Sequence, residues 1–162
     1  MSKNLPLKFN PDPFLRQKSK PVELSFLESD DFKKFVPLFI EALHEDQGIG
    51  LAAPQVGRHW RVITVQVKDS AEIIVNPEIT KFSFSKDLFE EGCLSVPGVF
   101  GYVKRPTGIH VRGLSLNGKP LDFDAEGLYA RVIQHEVDHL NGILFIDKVT
   151  EFTSVSENAT AL

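Results

Sequence analysis

The chain has a single cysteine among 162 residues, so no disulfide can form within it; that suits a reducing compartment. It also lacks any apolar stretch approaching the length of a transmembrane helix. The opening residues, Met1 to Pro13, show neither an apolar h-region nor a small-residue cleavage site, so no secretory signal is visible and a cytoplasmic location is expected. There is no basic run, and the net charge is −4. Both argue against direct nucleic-acid binding as the primary task. Internal repeats, low-complexity tracts and linker-like segments are absent as well. With 42% hydrophobic residues, a single domain with one sizeable core is the natural expectation.

What is present is concentrated in a few short segments. The stretch Gly127 to Gly142 reads as a helix and contains His135-Glu136-Val137-Asp138-His139. Histidines four apart lie on one helix face, with Cβ atoms about 5–6 Å apart. That spacing lets both imidazoles reach one metal ion, with the intervening glutamate left as general base. Leu128, Val132, His135 and His139 form one stripe of a 3.6-residue helix, and Ala130, Ile133, Val137 and Leu140 form a second, apolar one. Such a helix is buried on most sides. Two histidines and a glutamate there are costly to desolvate without partners, and a metal supplies the partner. The alternative is a helix that carries two histidines by chance.

The third ligand decides the class of enzyme. Phe145 stands where a metzincin needs its third histidine. A thermolysin-like site needs a downstream glutamate on a second helix, and only Glu151 and Glu157 follow His139, both near the end. Cys93 is the better candidate. Its plain reading is a small buried hydrophobe, yet it follows the acidic pair Glu90-Glu91 and a glycine that permits close backbone approach. A site of two histidines and one thiolate keeps a position open for water, so the chain reads as a hydrolytic metalloenzyme.

One rival motif needs weighing. Gly48-Ile49-Gly50-Leu51-Ala52-Ala53 satisfies the dinucleotide fingerprint, with Asp69 and Glu72 about 20 residues on. The context is wrong. The fingerprint must follow a buried strand and open a helix, whereas this one follows the polar run His44 to Gln47 and is interrupted by Pro54 and Gly57.

Periodicity supplies the remaining elements. Asp31 to Asp46 reads as an amphipathic helix with Phe32, Val36, Phe39, Ile40 and Leu43 inward. Arg61 to Val67 and Glu72 to Val75 read as strands, the second punctuated by Asn76-Pro77, and Lys81 to Ser85 alternates like a half-exposed strand. Gly108 to Leu116 and Pro120 to Ala125 flank Asn117-Gly118, a hairpin signal because both residues tolerate φ > 0. Strands first and then a buried HExxH helix give an α+β domain, with antiparallel strands packed around a central helix. The domain is expected over residues 1–149, with 150–162 as a short tail.

Three segments, Gly48 to Gly57, Glu91 to Gly98 and Gln134 to Gly142, resemble the signature motifs of the peptide deformylase family, in order and at plausible separations. Pro11 to Val22, Val75 to Pro77 and Leu116 to Pro120 add to the resemblance, which covers roughly residues 5 to 149. It implies an enzyme that removes the formyl group from the N-terminal formylmethionine of new polypeptides and releases formate. By that resemblance Cys93, His135 and His139 hold one divalent metal, and Glu136 is the general base. Gln55 through its side chain and Leu94 through its backbone N–H stabilise the oxyanion. Ile49, Gly50 and Gly92 pair with an extended peptide, in the manner of strand addition. Leu128, Arg131 and Val132 border the methionine pocket, and Glu91 pairs with Arg105 near the site. The family favours Fe²⁺, while a His₂Cys site also accepts Zn²⁺, Ni²⁺ or Co²⁺.

Phe100 stands where other deformylases often carry tyrosine or arginine. The tail departs further: after Lys148 it has no Lys or Arg, where many deformylases continue into a basic helix that helps them dock on the ribosome. Weak ribosome association, a monomer and no membrane contact are expected, and removal of residues 150–162 is expected to leave peptide kinetics nearly unchanged. Two other classes remain to be separated, a general metallopeptidase and a non-catalytic binding protein of the same fold.

Overall fold

The computed structural model describes residues 5–157 and 159. Strands β1 (Gly50–Ala52), β2 (Val62–Val67), β3 (Ser70–Phe82), β6 (Gly108–Leu114) and β7 (Pro120–Glu126) form an antiparallel sheet in the order β1-β2-β3-β6-β7. Strands β4 (Lys86–Cys93), β5 (Val96–Pro106) and β8 (Val149–Val155) form a second sheet in the order β4-β5-β8. Helix α1 (Asp30–Glu45) precedes the first sheet, and helix α2 (Gly127–Leu140) follows β7 directly. The architecture is α+β. Among the described residues, no helix is long and apolar enough to cross a membrane.

Helix α1 starts where its cap chemistry dictates: the Ser29 hydroxyl accepts from the Phe32 N–H at 3.2 Å, and Asp30 and Asp31 occupy the positive first turn. Its inner face buries Phe32, Val36, Phe39 and Leu43, joined by Phe35 and Ala42. These pack on Leu51, Val62, Ile73 and Val75 of the large sheet. Helix α2 buries Ala130, Val132, Ile133, Val137 and Leu140 against Ala52, Ile63, Val65, Ile74 and Val111 of the same sheet. It stops at Leu140 because Gly142 takes φ +74° and passes within 2.4 Å of the Arg16 carbonyl, measured from the position where a Cβ would stand. Only glycine satisfies both conditions.

Three local expectations are corrected. Asn76-Pro77 does not end its strand. β3 runs through it with a register shift, Asn76 adopts φ +50°, and its amide is held by both backbone groups of Val22 at 2.8 Å. A bulge is where proline's missing donor is tolerated. Lys81 to Ser85 is not a separate strand: Lys81 and Phe82 finish β3, and the Ser83 hydroxyl folds onto the Ser85 carbonyl at 2.8 Å. The β6–β7 hairpin forms at Asn117-Gly118, but through a five-residue loop, 115–119, closed by Ser115 N–H on the Lys119 carbonyl, with positive φ at Gly118 and not at Asn117.

The tail is the largest departure. Residues 150–155, placed outside the domain by composition, belong to β8 and pair with β5 from Val149↔Val103 to Val155↔Val99. Their side chains are exposed, so the backbone ladder, invisible to hydropathy, holds them. Deletion of residues 150–162 is therefore expected to lower stability. With each ladder hydrogen bond worth roughly 0.5–1.5 kcal/mol net, a loss of about 2 kcal/mol and a Tm fall of roughly 4–8 °C are expected. A truncated protein melting with the full chain would show that the strand adds nothing.

Candidate active site

Between the edge strands β1 and β4 lies a cleft of ≈ 640 Å³. Its walls include Ile49, Gly50, Gln55, Gly92, Cys93, Leu94, Leu128, Arg131, Val132, His135 and Glu136. Three separated sequence segments thus meet in one concavity.

Cys93 stands at the end of β4, where the β4–β5 register shifts between Gly92 and Cys93. Its Sγ lies 3.3 Å from His139 Nε2, and the ligand atoms of Cys93, His135 and His139 all lie within 4.8 Å of one another. Metal bonds of about 2.3 Å to sulfur and 2.0–2.1 Å to nitrogen place S and N roughly 3.5 Å apart on a tetrahedral ion. The donor set fits a borderline or soft divalent metal. The Nδ1 of His135 contacts Glu91 Oε2 at 2.9 Å, which leaves Nε2 to face the thiol and fixes the ring as outer partners of metal-binding histidines do.

Electrostatics follow from burial. Burial opposes the charge on His135, but hydrogen bonds to Cys93 and Glu91 outweigh it and hold the imidazole well above its ordinary range. His139 is held well below it, first by burial and then by the neighbouring His135 and Arg105 charges, which favours the neutral imidazole a metal site requires. Burial likewise opposes the charge on Glu91, yet His135 and Arg105 keep the carboxyl well below the usual carboxylate range.

Glu136 is buried, and its Oε2 has no hydrogen-bond partner. Burial pushes its carboxyl up to about 7. A Cβ on Gly50 would stand 2.5 Å from Glu136 Oε1 and 2.6 Å from Val132 Cγ1. The glycine of the loop is thus the space the acid occupies. Gln55 is fixed as a strut: its Oε1 accepts from Ala52 N–H at 2.8 Å, while Nε2 donates to Ser95 Oγ at 3.1 Å and faces Cys93 Sγ at 3.6 Å.

The edge of β1 is divided. The Ile49 carbonyl accepts from Gln66 N–H at 2.9 Å, so it is already committed to β2. The alternation of an antiparallel ladder then turns the amide and carbonyl of Gly50 to the open edge. Arg131 lines the cleft, but its charge is engaged. Nη1 donates to Glu91 Oε1 at 2.7 Å and to the Val103 carbonyl at 3.0 Å, and Nη2 reaches Asp87. Leu128, by contrast, is well exposed in the cleft wall.

Glu91 and Arg105 form a buried pair through two hydrogen bonds of 2.6 and 3.0 Å. Several partners were not anticipated from sequence: Ser95 under Gln55, Asp87 on Arg131, and Asp138, which receives Arg105 at 2.8 Å. Ser95 sits two residues past Cys93 and Asp138 between the histidine pair, so both signals were adjacent to motifs already marked.

The same arrangement is found among known proteins. A family model described as polypeptide deformylase matches residues 5–155. The chain belongs to the polypeptide deformylase family. A peptide deformylase from Halothermothrix orenii is 48% identical over 143 residues, covering 85% of this chain and 88% of that protein. One from Brucella suis biovar 1 is 42% identical over 151 residues, covering 90% and 85%. A class I type b peptide deformylase from Acinetobacter baumannii, solved with Met-Ala-Ser bound, superposes with a TM-score of 0.87 at 38% identity over 92% of this chain and 100% of that one. A Synechococcus elongatus peptide deformylase in complex with actinonin gives 0.86 at 37% identity, over 93% and 81%. The deformylase is accordingly a metal-dependent hydrolase that removes the formyl group from N-terminal formylmethionine.

Proposed function

We propose that Cys93, His135 and His139 hold the metal and that Glu136 is the proton carrier of this deformylase. The observation that carries the reading is the buried, unpartnered Glu136 Oε2 in a cleft beside the three donor atoms. A divalent ion held there acidifies water and polarises a carbonyl. Glu136 takes the proton from the water that adds to the formyl carbon and passes it to the departing amine, releasing formate and a free amino terminus. A carboxyl raised to about 7 suits both duties. Gln55 Nε2 and the Leu94 N–H donate to the oxygen on which negative charge develops. Gln55 arrives preorganised, because Ala52 and Ser95 fix its amide.

The peptide lies extended between β1 and β4, with its backbone on Gly50 and Gly92 and only the amide side of Ile49. The methionine side chain enters the apolar wall of Leu128 and Val132. Arg131 contributes by holding Glu91 rather than by meeting the substrate with its charge. Residues 5–155 act as one catalytic domain in which α2 is the central element, the enzyme works as a monomer in the cytoplasm, and Fe²⁺ is the cellular metal. With no basic residue after Lys148, ribosome association is weak, since binding to a phosphate-rich surface leans on Lys and Arg contacts.

The test is a comparison of formyl-Met, acetyl-Met and internally amide-bonded peptides with the metal-loaded protein, together with ribosome pelleting at physiological salt. Formate release from the first alone, with little pelleting, is expected. Internal cleavage would make it a general metallopeptidase, and tight salt-sensitive pelleting would overturn the reading of the tail.

A further inference from the structure

Behind Glu91 the charges continue as a chain of alternating sign that runs from buried Arg105 and Asp138 out to Lys148 at the surface. Arg105 holds Glu91 with two hydrogen bonds and donates Nη1 to Asp138 Oδ2 at 2.8 Å. The Lys148 ammonium then grips both Asp138 oxygens, at 2.8 and 2.7 Å. Asp138, Arg105 and Lys148 line a separate cavity of ≈ 460 Å³ that shares no residue with the catalytic cleft. Lys148 therefore has no route to the substrate except through other side chains.

We propose that Lys148, set in place by β8, is a positioning residue for the metal ligands. The inference rests on reading Cys93, His135 and His139 as those ligands. Arg105 is 3% exposed and bridges two carboxylates, Glu91 through Nε and Nη2 and Asp138 through Nη1. With Lys148 on Asp138, the second carboxylate is satisfied and Arg105 stays in its two-point grip on Glu91. Without the ammonium, the buried Asp138 has only Arg105 to balance it and draws the guanidinium away from Glu91. Glu91 is the group on His135 Nδ1, so its displacement loosens the ring that must point at the metal.

The strand that follows explains why the ammonium stays put. Val149 opens β8 opposite Val103 and packs in the apolar cluster of Val96, Val99, Val103 and Phe145 that also receives Cys93. Gly101 allows this approach, since a Cβ there would meet Val149 Cγ1 at 2.6 Å. Further along β8, the Thr153 hydroxyl bonds Glu90, the neighbour of Glu91. One strand thereby steadies the segments carrying Cys93 and His135 together.

The experiment uses Co²⁺ as probe on the full chain and on K148M, K148R, D138N and the K148M/D138N double variant. Co²⁺ affinity is read by chelator competition, the thiolate-to-cobalt absorption is recorded, and kcat and KM are measured on a formyl-Met tripeptide. K148M is expected to bind Co²⁺ about tenfold more weakly, the low end for outer partners of a metal ligand, with kcat reduced and KM within about twofold. K148R should keep wild-type affinity, because it restores the cation on Asp138. The double variant should be no worse than D138N, since the two act along one path. Wild-type Co²⁺ affinity in K148M, even with a lower Tm, would reduce Lys148 to a structural ion pair and overturn the proposal. Additive losses in the double variant would overturn it as well. A wild-type protein that shows no thiolate absorption with Co²⁺ would instead remove the ligand assignment, and this inference with it.

Discussion

Glu136→Gln is expected to keep its metal and lose about 10²–10⁴-fold in kcat, the range for removal of a general base. The geometry leaves little else for that carboxylate to do. It is 4% exposed, one oxygen has no partner, and the other sits against the backbone of Gly50. A buried, half-satisfied carboxylate costs the fold stability, and a functional role is the reason for keeping one. Glutamine preserves the shape and removes the basicity, so folding and metal content should hold or improve while turnover collapses. Metal stoichiometry measured beside kcat on a formyl-Met tripeptide checks this. A metal-loaded variant turning over near the wild-type rate would take Glu136 out of the mechanism.

Cys93→Ser should weaken metal binding by more than the 10–100-fold typical of losing an outer partner, and activity should fall with it. A neutral hydroxyl replaces a thiolate of nearly the same volume, so packing barely changes while a charged, soft ligand disappears. Cys93 is only partly buried beside the cluster of Val96, Val99 and Val103, which bounds the effect on stability. The discriminating pair of measurements is metal affinity and the Tm of the metal-free protein. A variant with unchanged affinity and a reduced Tm would mark Cys93 as core filler.

The helices and the His135–His139 pair were legible in the sequence for one reason, a repeated local spacing, whereas Cys93 lies on a separate strand and was reached only by excluding other third ligands and by resemblance. Histidines four apart and an apolar stripe at 3.6 residues survive any tertiary context, and α1 and α2 are found within about a residue or two of the expected ends. The strands around Asn76-Pro77 and Ser83 were less legible, because a bulge and a serine turn depend on partners elsewhere, Val22 in one case and Thr107 in the other. β8 was not legible at all. Its side chains face water and its hold is the β5 backbone, which has no hydropathy signature. The same blindness hid most of the charge network: the Glu91–Arg105 pair was expected from the resemblance, but only the fold shows that Arg131 and Asp138 join it. Arg131 is the instructive case. Its place on the helix, one turn before His135, is right for the cleft wall, but long-range partners decide what its charge does.

The measurement that bears most directly on the central claim is a metal titration of the stripped protein, with formate release followed at each step. The site described here predicts no turnover without metal, recovery that rises in proportion to added Co²⁺ or Fe²⁺ and breaks at one ion per chain, and no such recovery in Cys93→Ser at the same concentrations. Turnover by the stripped protein, or recovery that breaks at two ions or proceeds equally in Cys93→Ser, would contradict it.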